Sequence, residues 1–263
     1  MSLSVIIIAK NAEGTIRRCL DSVAWADEIV VVEHGSTDRT AGICREAGAT
    51  VHQTPDWPGF GLQKNRALAL ARGDWVLSLD ADEWVAPELR AEIGRTIESP
   101  GANSAFRFPR RSSFCGRFMR HSGWWPDYVT RLFRRGTARF SDSLVHEKLI
   151  VNGAVGTLAP PLLHESVTDL DQMLGKMNAY STASARSLHG QGRGSSLVTA
   201  LVHGFWMFFR TYVLRAGFLD GREGLMLAIA NAEGSYYRYL KLMLLAERQG
   251  EPSTAPRKPD IPT

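Results

Sequence analysis

Three carboxylates stand within four positions of the sequence, directly after an apolar run that predicts a strand. The run is WVLSL, and Asp80, Asp82 and Glu83 follow it. Asp80 and Asp82 are two residues apart, so in extended backbone their side chains lean the same way and repel each other unless a cation lies nearby. Magnesium is commonly held by one or two carboxylates together with substrate phosphates. The spacing therefore predicts a metal-bridged diphosphate site, and the alternative is a solvated turn before the next helix.

Motifs for other kinds of phosphate or metal chemistry are incomplete. The segment GFGLQK carries only the first half of a dinucleotide-binding glycine pattern, and it does not follow a strand. His146-Glu147 begins like a zinc protease motif, but position 150 is isoleucine, so the second ligand is missing. The acidic loop is therefore the main candidate for chemistry.

The first hundred residues contain the alternating elements that would position such a loop. The sequence predicts strands at Leu3–Ala9, Glu28–Glu33, Ala49–Gln53 and Trp75–Leu79. Amphipathic or helical segments lie between them, including a helix over Asp38–Ala47, and a further helix is predicted over Pro87–Ile97. Apolar strands that alternate with helices indicate a parallel sheet buried on both faces. Ligands of such sheets bind at the carboxyl ends of the strands, where the acidic loop lies.

The pattern changes after Pro100 and again near Asp169. Residues 101–168 contain short strand-like pieces that predict an antiparallel or mixed extension of the sheet. Three helical segments then follow, over about 169–189, 195–216 and 221–247. We therefore predict an α/β domain over 1–168, with a donor half at 1–100 and an acceptor half at 101–168, then a helical region at 169–248 and a disordered, proline-rich tail at 249–263.

The charge is distributed unevenly along the chain. Its 263 residues carry a net charge of +4, and 44% of them are hydrophobic, a composition that excludes extensive disorder and a polytopic membrane protein. Nine arginines and one acid, Asp127, lie between positions 105 and 140. Guanidinium groups bind phosphate and carboxylate bidentately, so this segment favours a phosphorylated partner or an anionic membrane surface, and a solvated basic face is the alternative.

Several segments together resemble a known enzyme family. They are SVIIIAKN, VVVEHGSTDRT and GFGLQKNRALALARGDWVLSLDADE, followed by WWPDYVTRLFRR, SLVHEKL, LLHES and GFLDGREGLMLAIANAEGSYYRYLKL. They resemble the inverting glycosyltransferases of family two, and within them the branch of the lipopolysaccharide core glucosyltransferases. The resemblance implies the GT-A fold, a Rossmann-like mixed sheet flanked by helices. It also implies a nucleotide-sugar donor, with a UDP-sugar expected, a lipid-linked or lipopolysaccharide acceptor, Mg²⁺ or Mn²⁺ as cofactor, and no nucleic-acid partner.

The resemblance also assigns residues to the donor. It implies that Asp80-Ala81-Asp82 is the family's DxD motif, with Asp82 on the metal and Asp80 nearer the ribose. The other residues that it implies for the donor side are Lys10, Asn11, Glu33, Ser36, Asp38, Gln63, Lys64 and Asn65. At Glu33-His34 the sequence departs from the family, where aspartate is common at the first position, so the identity of the nucleotide stays open.

The acceptor side has several candidates. Glu147, Asp142 and Asp127 are candidates for the base that takes the acceptor proton, and the VHE motif favours Glu147. A structural ion pair with an arginine is the alternative for Glu147. His164 resembles a histidine that completes the metal shell in some GT-A enzymes, and a role in the core is its alternative. Trp125 and Arg131 are expected to hold the acceptor, although burial in the sheet extension would also account for the tryptophan.

The helical region predicts a peripheral membrane protein. LVTALVHGFWMFF is thirteen residues long, shorter than the roughly 20 that span a bilayer. Its narrow polar stripe, aromatic residues and following arginines favour a helix that lies in the membrane interface. Packing of these helices on one another or in a homo-oligomer is the alternative. We therefore expect a cytoplasmic enzyme on the inner face of the membrane. The competing functions are a catalytically silent, nucleotide-binding membrane scaffold and a sugar nucleotidyltransferase.

Overall fold

A computed structural model describes residues 1–142 and 147–250 as two compact units. The first consists of Met1–Arg120 and Trp124–Ser166, and the second consists of His121–Gly123 and the described chain from Val167 onward. Two predictions fall partly outside the described residues. They concern His146 of the VHE motif and the tail from 251 to 263.

Twelve strands are present among the described residues, and ten of them form one sheet. The strands are β1 (Leu3–Ala9), β2 (Glu28–Glu33), β3 (Thr50–Gln53), β4 (Trp75–Asp80), β5 (Glu83–Val85), β6 (Asn103–Phe114), β7 (Arg117–Phe118), β8 (Asp127–Arg134), β9 (Ala138–Phe140), β10 (Leu149–Val151), β11 (Ala154–Thr157) and β12 (Leu162–Val167). Their order in the large sheet is β3-β2-β1-β4-β8-β6-β12-β5, with β7 and β11 also paired to β6.

The sheet is parallel in its first half and mixed beyond it. Strands β3, β2, β1 and β4 pair in parallel, whereas β8 is antiparallel to both β4 and β6. All seven residues of β1 are buried, as expected for a β-branched strand in the middle of a sheet covered on both faces. This order places β8 beside β4, so the arginine-rich segment lies next to the strand that ends in the acidic loop.

Four helices connect the strands of the first unit: α1 (Ile16–Ser22), α2 (Thr40–Glu46), α3 (Phe60–Leu70) and α4 (Pro87–Glu98). Pro87 occupies the first turn of α4, where a missing N–H costs nothing. Ile16, Cys19 and Leu20 of α1 and Leu89, Ile93 and Ile97 of α4 contribute to one apolar core. The predicted mixed α/β sheet flanked by helices is confirmed.

The second unit is helical. It contains α5 (Leu170–Gly190), α6 (Leu197–Phe209), a π-helical turn at Arg210–Leu214, a 3₁₀ turn at Gly217–Asp220 and α7 (Gly221–Gly250). Helix α6 packs against α7 through small residues, since Ala200 and Gly204 are its buried positions and a Cβ at Gly204 would lie 3.2 Å from Cβ of Tyr236. The imidazole of His203 stacks on Tyr239 at 4.0 Å between ring centroids.

The large apolar side chains of α6 point the other way. Val198, Val202 and Phe205 are 69%, 60% and 72% exposed, and Leu201 and Trp206 are also exposed. Among the described residues, one helical stretch, Leu197–Leu214, is long and apolar enough to cross a membrane, and 17% of it is buried. The helices expected from the sequence are present, with this apolar surface left uncovered by the described chain.

Three details differ from the sequence prediction. The expected helix over 38–47 begins at Thr40, because Asp38 accepts hydrogen bonds from the Thr40 N–H and hydroxyl and so precedes the helix. Strand β5 was not predicted, and β6 extends to twelve residues where the sequence suggested a short piece. The segment expected as one helix over 195–216 changes to π-helical turns at Arg210.

Close packing at Gly61 gives a test of the first unit. A Cβ at Gly61 of α3 would lie 1.9 Å from the backbone oxygen of Ser141, whereas a Cβ at Gly94 of α4 would meet nothing within 4 Å. Gly61→Ala should lower the free energy of unfolding by about 1–3 kcal/mol through overpacking. Gly94→Ala should raise it by up to about 1 kcal/mol, because alanine favours the helix interior. Urea unfolding measures both, and equal effects would contradict the packing described.

Candidate functional site

Asp80, at the carboxyl end of β4, is held by two cations. Lys64 of α3 donates to its Oδ1 at 2.8 Å, and the Arg131 guanidinium of β8 binds its Oδ2. Burial would raise the pKa of the Asp80 carboxyl, but the charges of Arg131 and Lys64 hold that pKa well below its usual range. Asp80 is therefore an anion whose two oxygens are already engaged by the protein.

Glu83 forms the second half of the same ion network. Its side chain is fully buried, and its Oε1 accepts from Arg131 at 2.9 Å and from Arg110 of β6 at 3.3 Å. Its Oε2 accepts from the backbone N–H of Asp80 at 3.0 Å, which closes the acidic loop on itself. Arg110 also binds Asp127 at 2.7 Å. Burial lowers the pKa of Arg131, but the charges of Asp80 and Glu83 raise it more, so Arg131 stays protonated.

Asp82 projects from the loop beside a histidine. Its Oδ2 lies 3.5 Å from Nε2 of His164 on β12, and Nδ1 of that imidazole lies 2.8 Å from the Ser112 hydroxyl of β6. In register, His164 pairs with Glu83 of β5, so the two strands fix the imidazole beside the loop. Asp82 keeps 37% of its side chain exposed, and among the described residues no lysine or arginine lies within ion-pair distance of it.

Asp82 and His164 together offer two ligands to a divalent cation. The described residues contain no group of three or more His, Cys, Asp or Glu side chains in a metal-binding arrangement. One carboxylate and one imidazole fit an ion that takes its remaining ligands from phosphate oxygens and water. Asp82 and His164 therefore suit a cation delivered with a diphosphate.

Lys64 connects the acidic loop to a candidate base. Its ammonium is nearly buried and lies 2.7 Å from Oε1 of Glu147, on the side opposite Asp80. The other two base candidates have different surroundings: Asp127 is paired with Arg110, and Asp142 is exposed. Lys64 thus joins Glu147 to Asp80, and Arg110 joins Asp127 to Glu83 in the same way, whereas Asp142 has no such contact among the described residues.

The expected donor residues fall into two groups, and the first surrounds the ends of β1 and β2. Asn11, which has a positive φ of 47°, accepts from the Thr37 N–H at 2.9 Å and donates its own N–H to the Ser36 hydroxyl at 3.0 Å. Asp38 accepts from the Glu13 N–H at 3.1 Å. These contacts hold the two strand ends together, and Lys10 beside them is exposed.

Members of the second group turn their side chains inward. Glu33 is buried, and it accepts from the Ser36 N–H and from Gln53 Nε2 at 3.1 Å. Burial would raise the pKa of Glu33, but these hydrogen bonds lower it overall. Gln63 donates to the Thr54 hydroxyl at 2.7 Å, and Asn65 exchanges two 2.9 Å hydrogen bonds with the backbone of Phe140. These hydrogen bonds hold the three side chains against other segments of the first unit.

Aromatic side chains occur near both ends of the predicted site. Trp125, which precedes a cis peptide bond to Pro126, lies 5.9 Å below the guanidinium of Arg111. Beside Glu33, the rings of His34 and Trp57 lie 5.8 Å apart between their centroids, and Trp57 is 40% exposed. Arg131, expected beside Trp125 on the acceptor, instead lies inside the ion network, only 8% exposed.

Sequence reasoning missed Arg110 and Ser112 as parts of the site, and it gave Glu83, one of the three carboxylates of the acidic loop, no role. Three carboxylates so close together need cations, and the arginine-rich segment was the available source. The register of the strands decides which arginines meet a carboxylate. Arg110 of β6, for example, lies opposite Asp127 of β8. That pairing is not readable from composition, so the network was not predicted.

Comparison with known proteins agrees with this architecture. The family model "Glycosyl transferase family 2" matches residues 4–150. The chain is 30% identical over 99% of its length to an uncharacterized glycosyltransferase of Rickettsia bellii, of which it covers 92%. It is 29% identical to the lipopolysaccharide core biosynthesis glycosyltransferase LpsC of Rhizobium meliloti, over 91% of this chain and 93% of LpsC.

A solved structure bears on the fold. The crystal structure of S. aureus TarS 1–349 in complex with UDP superposes with a TM-score of 0.50 at 17% identity, covering 95% of this chain and 92% of that one. This likeness, with the mixed sheet described above, confirms the GT-A fold. The family match over more than half of the chain and the Rickettsia relative show that the protein belongs to glycosyl transferase family 2 and is a glycosyltransferase.

Proposed function

We propose that the enzyme transfers a sugar, with inversion, from a UDP-sugar to a lipid-linked or lipopolysaccharide-core acceptor, using a divalent cation at Asp82 and His164. The observation that carries the proposal is that Lys64 contacts both Asp80, two residues before Asp82, and Glu147. A carboxylate suited to proton removal is therefore held to the same acidic loop that carries Asp82, which faces His164. The descriptions of two similar proteins support it. LpsC is a lipopolysaccharide core biosynthesis glycosyltransferase, and the structure of TarS is a complex with UDP.

The donor half of the mechanism depends on charge. A cation bound at Asp82 and His164 would neutralise the diphosphate as it leaves. Ser112, through its hydrogen bond to Nδ1, orients the imidazole so that Nε2 faces the carboxylate. Because Arg131 and Lys64 neutralise Asp80, the loop presents Asp82 as its available carboxylate.

The acceptor half needs a base, and we assign it to Glu147. Lys64 binds Oε1 of Glu147 and fixes its direction, which leaves Oε2 to take the proton of the attacking hydroxyl. Arg131 acts as a positioning residue for Asp80 and Glu83, in place of the acceptor contact expected from the sequence.

The exposed face of α6 supports attachment to the cytoplasmic face of a membrane. Val198, Val202 and Phe205 together present an apolar surface on a helix whose small residues face its neighbour. Such a face loses its contact with water when it enters the lipid interface. A membrane-bound acceptor would then meet an enzyme confined to the same surface.

Replacement of Asp82 tests the cation site. Asp82→Asn should lower kcat/KM for sugar transfer by about 100-fold or more, since one carboxylate ligand is lost at the developing charge. Isothermal titration with Mn²⁺ and UDP should show weakened binding of the ion. Glu88→Gln, an exposed acid in the first turn of α4, is the matched control and should retain wild-type values. Full transfer activity in folded Asp82→Asn would refute the site.

The assignment of the base is tested separately. Glu147→Gln should reduce kcat by about 100- to 10,000-fold, as for loss of a general base, with a small change in the dissociation constant for UDP-sugar. Asp142→Asn, which changes another of the candidate bases but at an exposed position, should stay near wild type. The opposite ranking of the two variants in single-turnover assays would transfer the role to Asp142.

Arg131 should affect stability more than acceptor binding. Arg131→Met leaves Asp80 and Glu83 without their shared cation and should cost about 3–5 kcal/mol of unfolding free energy. Since Asp80 has a depressed pKa in the folded state, wild-type stability should decline as the pH falls below about 4, and the decline should be shallower in the variant. Chemical unfolding against pH measures both effects. Arg131→Lys should retain much of the stability, and a raised acceptor KM with unchanged stability would favour the acceptor role.

A further inference from the structure

The helical unit contains a cavity whose lining residues have no part in the proposed sugar-transfer reaction. It lies between α5 and α7 and has a volume of about 170 Å³. Three cations line it, Arg186 from α5 and Lys241 and Arg248 from α7, and its apolar wall is formed by Ala185, Leu244 and Leu245. Among the described residues, no carboxylate lines the cavity.

The positive charge of Lys241 is not neutralised by its hydrogen-bond partners. Its ammonium lies 2.7 Å from Asn178 Oδ1, 3.1 Å from the Asn178 carbonyl oxygen, 2.8 Å from the Ser181 hydroxyl and 2.8 Å from the Thr182 hydroxyl. All four acceptors are uncharged. Lys241 thus has its hydrogen bonds satisfied while its charge still acts on the cavity.

The two arginines have hydrogen-bonding capacity left. Both are exposed, and neither forms a hydrogen bond or ion pair with another residue in the part of the chain that the structure describes. Their guanidinium groups can each donate two parallel hydrogen bonds to a phosphate. Beside them, Leu244 keeps 45% of its surface exposed, so apolar surface adjoins the charged groups.

This combination distinguishes between classes of anion. A free phosphate or a nucleic-acid backbone would use the cations but gain nothing from the apolar wall. An anionic phospholipid uses both, because its phosphate adjoins glycerol and acyl carbons. The same unit carries the exposed apolar face of α6, and residues 191–196 link the end of α5 to the start of α6.

We propose that this cavity binds the phosphate of an anionic phospholipid, with Arg186 and Arg248 donating to its oxygens and Leu244 and Leu245 contacting its apolar carbons. Lys241 supplies charge and joins α5 to α7. The inference rests on the proposed membrane attachment and is independent of the sugar-transfer chemistry. It makes attachment selective for anionic lipid, whereas the α6 face alone would bind any bilayer.

Vesicle sedimentation of the full chain tests the cavity. Vesicles of phosphatidylcholine are compared with vesicles containing phosphatidylglycerol. Arg186→Gln with Arg248→Gln should weaken binding to the anionic vesicles by about 30-fold, the expected effect of removing two basic contacts. Arg193→Gln with Arg222→Gln removes the same charge from the helical unit outside the cavity lining and should have a much smaller effect. Equal losses from the two pairs would overturn the site, because they would indicate charge attraction alone.

Further measurements test this proposal separately from the membrane attachment on which it rests. Val202→Asn with Phe205→Asn should reduce binding to both kinds of vesicle. If these variants do so while the wild-type chain shows no preference for anionic lipid, attachment stands and the cavity assignment fails. A wild-type chain that binds neither vesicle overturns both. Thermal stabilisation by millimolar inorganic phosphate, lost in the arginine pair and without any anionic vesicle preference, would identify a soluble phosphate and overturn the lipid. Circular dichroism confirms that each variant is folded.

Discussion

The site depends on the balance of charge around Asp80 and Glu83. Two carboxylates at the end of a buried strand carry a large desolvation cost, and this cost is offset only if cations with good geometry share the same space. Arg131 binds both carboxylates, and Lys64 and Arg110 complete the balance. The antiparallel pairing of β8 with β4 places Arg131 there. The buried carboxylates of the acidic loop therefore depend on this strand pairing for their cation.

One consequence is a division of labour among residues that look alike in sequence. Asp80 is neutralised by its partners, whereas Asp82 is partly exposed and faces an imidazole. Lys64, tied to Asp80 on one side, reaches Glu147 on the other, so the acidic loop and the proposed base share a rigid contact. The close approach of Gly61 to Ser141 and Glu147 serves the same arrangement, because it allows α3 to lie against both residues.

The helical unit follows a different physical rule. Helix α6 packs through alanine and glycine and exposes valine, phenylalanine and tryptophan, the reverse of the order found in a water-exposed amphipathic helix. A surface of this kind calls for an apolar environment. The cationic cavity between α5 and α7 adds a charged feature to the same unit. Under the proposed membrane attachment, the α6 face would meet the lipid interface and the cavity would meet the headgroups.

The sequence by itself determined the parallel half of the sheet, because strands such as Leu3–Ala9 carry continuous β-branched runs between helical segments. It also determined the acidic loop and the family, which rest on residues close together in the chain.

The tertiary structure decided what each polar residue contacts. Arg131 is one of nine arginines in the same segment, and its register on β8 directs it towards Asp80. Asn65 and Glu33 are held by hydrogen bonds, Asn65 to the Phe140 backbone and Glu33 to the Gln53 side chain. Such contacts join residues 20 or 75 positions apart, and no local pattern specifies them. Local sequence therefore indicated which groups are available for chemistry, and the pairing of distant strands decided which of them are neutralised and which remain free to act.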